Sequence, residues 1–206
     1  YTKGDGAFGS NIFEWDSTST ETDNGGTIIK LTSITTGRYK LKFSGAVTPE
    51  MFGAVGDGVT DDTVVINNLL QNYKNVLFSK TYIVNPAIGI NFQSNSNIIF
   101  RGSKFISSAS NKTTYKIINF EDVINVNTYG VIYVIGDRNI HIGSTGEWGV
   151  GVRIFGDCKN LRIDAIEAYD CWGDGLYVAG NNNSTRPEGI HINNVYCKNN
   201  RKTKEG

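Results

Sequence analysis

The 206 residues carry 20 Lys and Arg against 20 Asp and Glu, a formal net charge of zero, so neither a nucleic acid nor an anionic membrane is an expected partner. No apolar run is long enough to span a bilayer and no signal peptide is visible; the length suits one large domain or a domain with a small appendage. With 24 glycines, only 3 prolines and recurrent asparagine and β-branched residues, the composition points to an all-β chain of short strands joined by tight turns.

Residues 1–46 read as a polar, glycine-spotted leader, separate from a main body over 47–206. Gly4-Asp5-Gly6-Ala7-Phe8-Gly9 formally matches G-x-G-x-x-G, but a dinucleotide site needs that motif between a strand and a helix, and neither flanks it. The chain opens on Tyr1 and its single methionine is Met51, as expected of an excised or processed piece.

The stretch Val47 to Leu70 is the first with strong local signals. It predicts a short strand (Val47, Met51 to Val55), a tight Gly56-Asp57-Gly58 turn, and a helix from Thr60. Thr60 is the expected cap, Asp61 and Asp62 complement the helix dipole, and Val65, Ile66, Leu69 and Leu70 form one apolar stripe. No helical periodicity follows, so this helix is expected to cap the open end of a sheet. The Gly56-Asp57-Gly58 turn lacks the Lys and Ser/Thr of a phosphate loop, and its acidic follow-up would repel phosphate.

The run Phe52-Gly53-Ala54-Val55-Gly56-Asp57-Gly58-Val59-Thr60-Asp61-Asp62-Thr63 resembles the opening signature of the pectate-lyase-like superfamily, especially its bacteriophage tailspike branch. Phe13 to Lys42, with Asp23-Asn24-Gly25-Gly26-Thr27-Ile28-Ile29 and Gly37-Arg38-Tyr39, is similar to the segment that precedes that signature, and Asn75 to Gly102 to the coils that follow it. The resemblance implies a single-stranded right-handed parallel β-helix with an N-terminal capping helix. It implies also a homotrimer on the virion tail that binds or cuts a bacterial capsule or lipopolysaccharide glycan. Attachment to other tail proteins would then run through residues ahead of Tyr1.

Internal repeats support stacked coils. Asn97-Ile98-Ile99-Phe100, Asn139-Ile140-His141-Ile142 and Asn160-Leu161-Arg162-Ile163 share one form, with 139 − 97 = 42 and 160 − 139 = 21, so a coil through Ile117-Ile118-Asn119-Phe120 is expected between the first two. Gly189-Ile190-His191-Ile192 is a further copy, its longer interval absorbed by the polar loop Asn181 to Arg186. Trp148 to Gly156 superposes on Trp172 to Gly180, with 172 − 148 = 24. A repeat of 21 to 29 residues then points Ile98, Phe100, Ile140, Ile142, Leu161, Ile163, Ile190 and Ile192 into one core. His141, Arg153, Arg162, Tyr177 and His191 point outward.

The outward residues carry the candidate chemistry. Trp148 and Trp172 form an expected stacked platform for sugar rings, with Arg153 and Tyr177 completing a substrate-binding strip. Asp174 replaces Val150 of the coil above, so the repeat does not require it; it is the expected acid, with Trp172 raising its pKa, and with Glu205 and Asp170 as catalytic partners. Carboxyls on adjacent coils would lie about 5 Å apart, the separation of retaining glycosidases. Glu147, Asp164 and Glu167 are further candidates. An Asp-Gly pair such as Asp174-Gly175 also serves as an ordinary turn. The two histidines flank the cation Arg162, which argues against a metal site, and no cofactor is expected. Cys158, Cys171 and Cys197 lack metal or redox spacing and read as small buried hydrophobes.

The expected function is recognition and depolymerisation of a bacterial surface polysaccharide, by hydrolysis or elimination. The alternatives are a non-catalytic tail fibre of the same fold and a secreted pectinase-like glycosidase or lyase.

Overall fold

The computed structural model describes residues 11–143, 148–181 and 184–200. Strands β1 (Phe13–Asp16), β2 (Ile28–Ile29) and β3 (Arg38–Leu41) form an antiparallel sheet in the order β1-β3-β2. A 3-10 turn, Pro49–Phe52, then leads to β4 (Asp57–Asp61), helix α1 (Thr63–Asn72), β5 (Asn75–Phe78), β6 (Thr81–Val84), β7 (Ile90–Asn91), β8 (Ser96–Phe100) and β9 (Lys104–Ser107). After these come β10 (Thr114–Glu121), β11 (Ile124–Tyr129), β12 (Val131–Ile135), β13 (Trp148–Phe155), β14 (Lys159–Tyr169), β15 (Leu176–Ala179) and β16 (Glu188–Lys198).

From β4 onward every strand pairing is parallel. The strands fall into three ladders, and from β7 onward each circuit of the chain visits all three. The first ladder is β7-β10-β13-β15; the second runs β5-β8-β11 into the first half of β14 and β16; the third runs β4-β6-β9-β12 into their second halves. A single strand or circuit leaves its apolar side chains in water, so circuits stack and the alternate residues of each strand meet in a shared interior. Phe78 stacks on Phe100 with ring centroids 5.6 Å apart, and Phe92 on Phe120 at 4.9 Å.

Asparagines tie successive circuits together on the outside. Asn97 donates its amide to Asn75 and Asn127 to Asn97, both at 3.1 Å; Asn125 donates to Asn95 at 3.0 Å and Asn160 to Asn125 at 3.2 Å. Asn95, Asn125 and Asn160 all hold left-handed backbone, φ 59, 57 and 55°, which asparagine tolerates better than most residues. These bonds span 22, 30 and 35 residues, so the circuits are more unequal than the expected 21 to 29.

Leu161 lies beside Ile190 and Ile163 beside Ile192, and Val152 beside Leu176, as the repeats predicted. Two expectations fail. The circuit between Phe100 and Leu161 runs through β11, not Ile117 to Phe120, which belongs to β10 in the first ladder. Asn139 to Ile142 is no strand at all: Ile140 and Ile142 are exposed and His141 turns inward to a buried aspartate, so the apolar alternation there is inverted.

The stretch before α1 also differs from expectation. Met51 and Phe52 lie in the 3-10 turn, while Asp57 to Asp61 is strand, so α1 begins three residues late. The acids explain the delay. Asp57 Oδ1 accepts the amides of Val59 and Thr60 at 2.8 and 2.7 Å, and Asp62 reaches back to those of Val55 and Gly56 at 2.8 and 3.0 Å. Side chains that satisfy local amides in this way compete with helical hydrogen bonding. The apolar stripe is as expected, with Ile66, Leu69 and Leu70 fully buried and Val65 packed against the core. Each of the three contributes about 1.5–3 kcal/mol by burial. Beside β7, Asn67 donates to the Gly89 carbonyl at 2.7 Å and accepts the Asn91 amide at 2.8 Å, so its side chain supplies the pairing groups of a neighbouring strand.

Candidate functional site

The outer face of the first ladder carries a groove of about 320 Å³, lined by Thr114, Tyr115 and Lys116 of β10, Trp148, Val150, Arg153 and Phe155 of β13, and Tyr177 of β15. Such a volume lies at the lower end of small-ligand sites. Thr114, Lys116, Trp148, Arg153, Phe155 and Tyr177 reach the surface while Tyr115 and Val150 stay buried beneath them, and parallel register lines the strands up: Arg153 neighbours Asn119 on one side and Tyr177 on the other. Trp148 is 53% exposed and meets Tyr177 edge-on, with centroids 6.1 Å apart. Two aromatic side chains at right angles offer an apolar wall and floor at little entropic cost.

Arg153 is held from three directions. Its Nε donates to Asn119 Oδ1 at 2.9 Å, its Nη2 to Glu121, and its guanidinium lies 4.6 Å from the Phe155 ring centroid. Asn119 is itself buried and donates to Asn91 at 2.9 Å, so the arginine ends an amide ladder that starts at Asn67 on α1.

The predicted site residues separate into groups. Trp148, Arg153 and Tyr177 share the groove. Trp172 does not: it is 9% exposed and stacks on His141, centroids 4.0 Å apart and 13° from parallel. The two tryptophans therefore make no common platform, because buried His141 offers Trp172 a flat partner inside the fold. Asp174 is exposed, and its carbonyl accepts the amide of Gly151, next to groove residue Val150. Asp170 is half-buried in left-handed backbone, φ 51°, its carbonyl bonded to the Arg138 amide. Glu205 and Glu147 lie outside the described residues. Glu167 accepts the Tyr169 hydroxyl at 3.0 Å, which, ahead of desolvation, raises that phenol to about 12. Asp164 accepts the Gly130 amide at 2.9 Å.

Sequence reasoning missed Lys116, Tyr115 and Phe155. Alternation in Thr114 to Glu121 would have exposed Lys116, had β10 been aligned with β13.

His141 belongs to a second constellation. Asp137, fully buried, accepts hydrogen bonds from the Ser110 amide at 3.1 Å, the Tyr115 hydroxyl and His141 Nδ1 at 2.8 Å. Burial first, then the Asp137 carboxylate, push the Tyr115 phenol up. The Tyr115 hydroxyl in turn accepts the Trp172 amide at 3.3 Å. Its imidazole side chain is 1% exposed, so the cluster reads as scaffold beneath the groove. His141 and His191 share no column: His191 neighbours Arg162 on the exposed second ladder. Among the described residues no three His, Cys, Asp or Glu are grouped to hold a metal, and no helix is long and apolar enough to cross a membrane. Cys158 and Cys171 are buried as expected, whereas Cys197, on β16 at the edge of its ladder, is exposed.

The curled stack of parallel strands is a fold also seen in bacteriophage tailspikes. The enzymatically active domain of tailspike protein 2 from bacteriophage CBA120 superposes with a TM-score of 0.55 at 17% identity, covering 91% of this chain and 29% of that one. Tailspike protein gp49 of the Acinetobacter baumannii bacteriophage Fri1, a capsular polysaccharide depolymerase, gives 0.56 at 14% identity, covering 93% and 37%. The chain thus spans well under half the length of either, and at these identities the likeness is one of fold. No protein-family model and no curated protein matches the sequence.

Proposed function

We propose that this chain is part of a bacteriophage tailspike that binds a bacterial surface polysaccharide along the groove of Trp148, Arg153 and Tyr177. The observation that carries the reading is the groove itself: exposed aromatic faces beside an immobilised arginine, on a parallel stack of the tailspike kind. In this reading residues 47–206 are the capping helix α1 and the first coils of a right-handed parallel β-helix, residues 1–46 form the leader, and the molecule works as a homotrimer on the virion tail. The strand-like pairing by Asn67 and the burial of α1 against the core support the cap.

The same reading extends to depolymerisation, with Asp174 as acid and Asp170 and Glu205 as candidate partners. Asp174 adjoins the groove through Gly151, which supports its place in the proposal. Asp174→Asn should leave folding intact and lower depolymerase activity at least about a hundredfold, the scale of losing an acid or base. Activity is read as new reducing ends, with an added ultraviolet chromophore if the bond is cut by elimination. Wild-type cleavage by Asp174→Asn would remove Asp174 from the chemistry. A non-catalytic binding role is favoured by one observation: among the described residues, none lining the groove is a carboxylate. Trp148→Ala tests binding itself; unchanged retention of every polysaccharide that the parent protein binds would refute the groove.

A further inference from the structure

The side edge of the Arg153 guanidinium is fully engaged, Nε by Asn119 and Nη2 by Glu121. Its end edge, formed by Nη1 and the second hydrogen of Nη2, has no protein acceptor among the described residues. An arginine in this state is a fixed fork whose remaining pair of donors matches the two oxygens of a carboxylate. The orientation is enforced from below by buried Asn119 and from the side by the Phe155 ring, so little ordering is left for a ligand to impose. Lys116 lines the same groove, is half-buried, and forms no ion pair with any described residue. The groove therefore holds two cations, one neutralised by Glu121 and one not, beside the aromatic faces of Trp148 and Tyr177 and with no carboxylate among its described lining.

We infer that the groove selects an acidic sugar, a uronic acid or another carboxyl-bearing residue of the polysaccharide. Its carboxylate is received end-on by Arg153, with Lys116 as the second counter-charge and the apolar face of the ring against Trp148 and Tyr177. This inference rests on the groove being the glycan site, and deepens that reading by naming the chemistry it recognises. A neutral sugar would leave the end edge of Arg153 without an anionic acceptor and gain only the aromatic contacts. Discrimination by a group whose partner would otherwise be left unpaired is stronger than discrimination by shape alone.

The test uses the full protein on an array of purified capsular and O-antigen polysaccharides, each printed in native form and after reduction of its carboxyl groups to primary alcohols. The polysaccharides retained should carry carboxyl sugars and lose at least tenfold in affinity on reduction. Arg153→Gln and Lys116→Gln, each with a melting temperature like that of the parent, should lose a similar factor on the native polymer and little on the reduced one. Retention of a neutral polymer, or equal affinity before and after reduction, with Trp148→Ala still impaired, would overturn the acidic specificity and leave the groove standing. No retention of any polymer, or retention insensitive to Trp148→Ala, would overturn the groove and this inference with it.

Discussion

Replacing Asp137 by alanine removes the acceptor at the centre of the buried cluster and strands three donors: the Ser110 amide, the Tyr115 hydroxyl and His141 Nδ1. Leaving one buried donor unsatisfied costs about 1–3 kcal/mol. The three donors relax together, so their penalties do not add. The loss expected for Asp137→Ala is that of breaking a buried hydrogen-bond network, about 3–4 kcal/mol. In a chain of this size 1 kcal/mol moves the melting temperature by about 2–4 °C, so the midpoint should fall by about 10 °C or somewhat more. Tyr115→Phe removes one of the three bonds to Asp137 and also the acceptor of the Trp172 amide, and should cost about 1–3 kcal/mol. Loss of the cluster should also free Trp172 from its stack on His141, which near-ultraviolet circular dichroism reports alongside the thermal midpoint. A shift of less than about 1 kcal/mol for Asp137→Ala, with the Trp172 signal unchanged, would refute the claim that this carboxylate organises the buried cluster.

Asn125 is exposed, yet Asn125→Ala should cost about 2 kcal/mol, because it loses the left-handed preference and two amide bonds, to Asn95 and from Asn160. Asn125→Gly should recover much of this, and equal urea midpoints for Ala and wild type would contradict the ladder's role. Lys40, by hydrogen bonding, holds the Asp16 carboxyl down to about 2 from its ordinary 3.8. A depressed carboxyl stabilises the fold above the unfolded value, and that stability disappears as pH falls through the folded one. Asp16→Asn should therefore flatten the acid limb of stability between pH 4 and 2; since the pair is exposed, 1 M salt should blunt the difference. An unchanged acid limb would exclude the ion pair as a contributor.

The limits of sequence reading lie in particular segments. Asn160-Leu161-Arg162-Ile163 and Asn139-Ile140-His141-Ile142 are near-identical as patterns, and the first is strand with its apolar residues buried. The second is turned inside out by Asp137, four residues before His141, which gives the imidazole a buried acceptor. Nothing in the periodicity separates the two, since the deciding partner Tyr115 lies on another strand. The tryptophan repeat likewise set the register of β13 on β15 correctly, while the side chain of Trp172 went to a partner only the folded chain supplies.

The sequence by itself determined the class of fold: alternating apolar residues, scarce proline, recurrent asparagine and glycine, and the amphipathic stripe of α1 are all local, and a local signal survives in one dimension. Only the tertiary structure decided which strand lies beside which, and hence the groove. Circuits of 22, 30 and 35 residues differ because their loops differ, and a loop's length leaves no trace in the strands it joins. Thr114 meets Trp148, Lys116 meets Val150 and Asn119 meets Arg153 through that register alone, because residues far apart in the chain become neighbours only when stacking buries the faces beneath them.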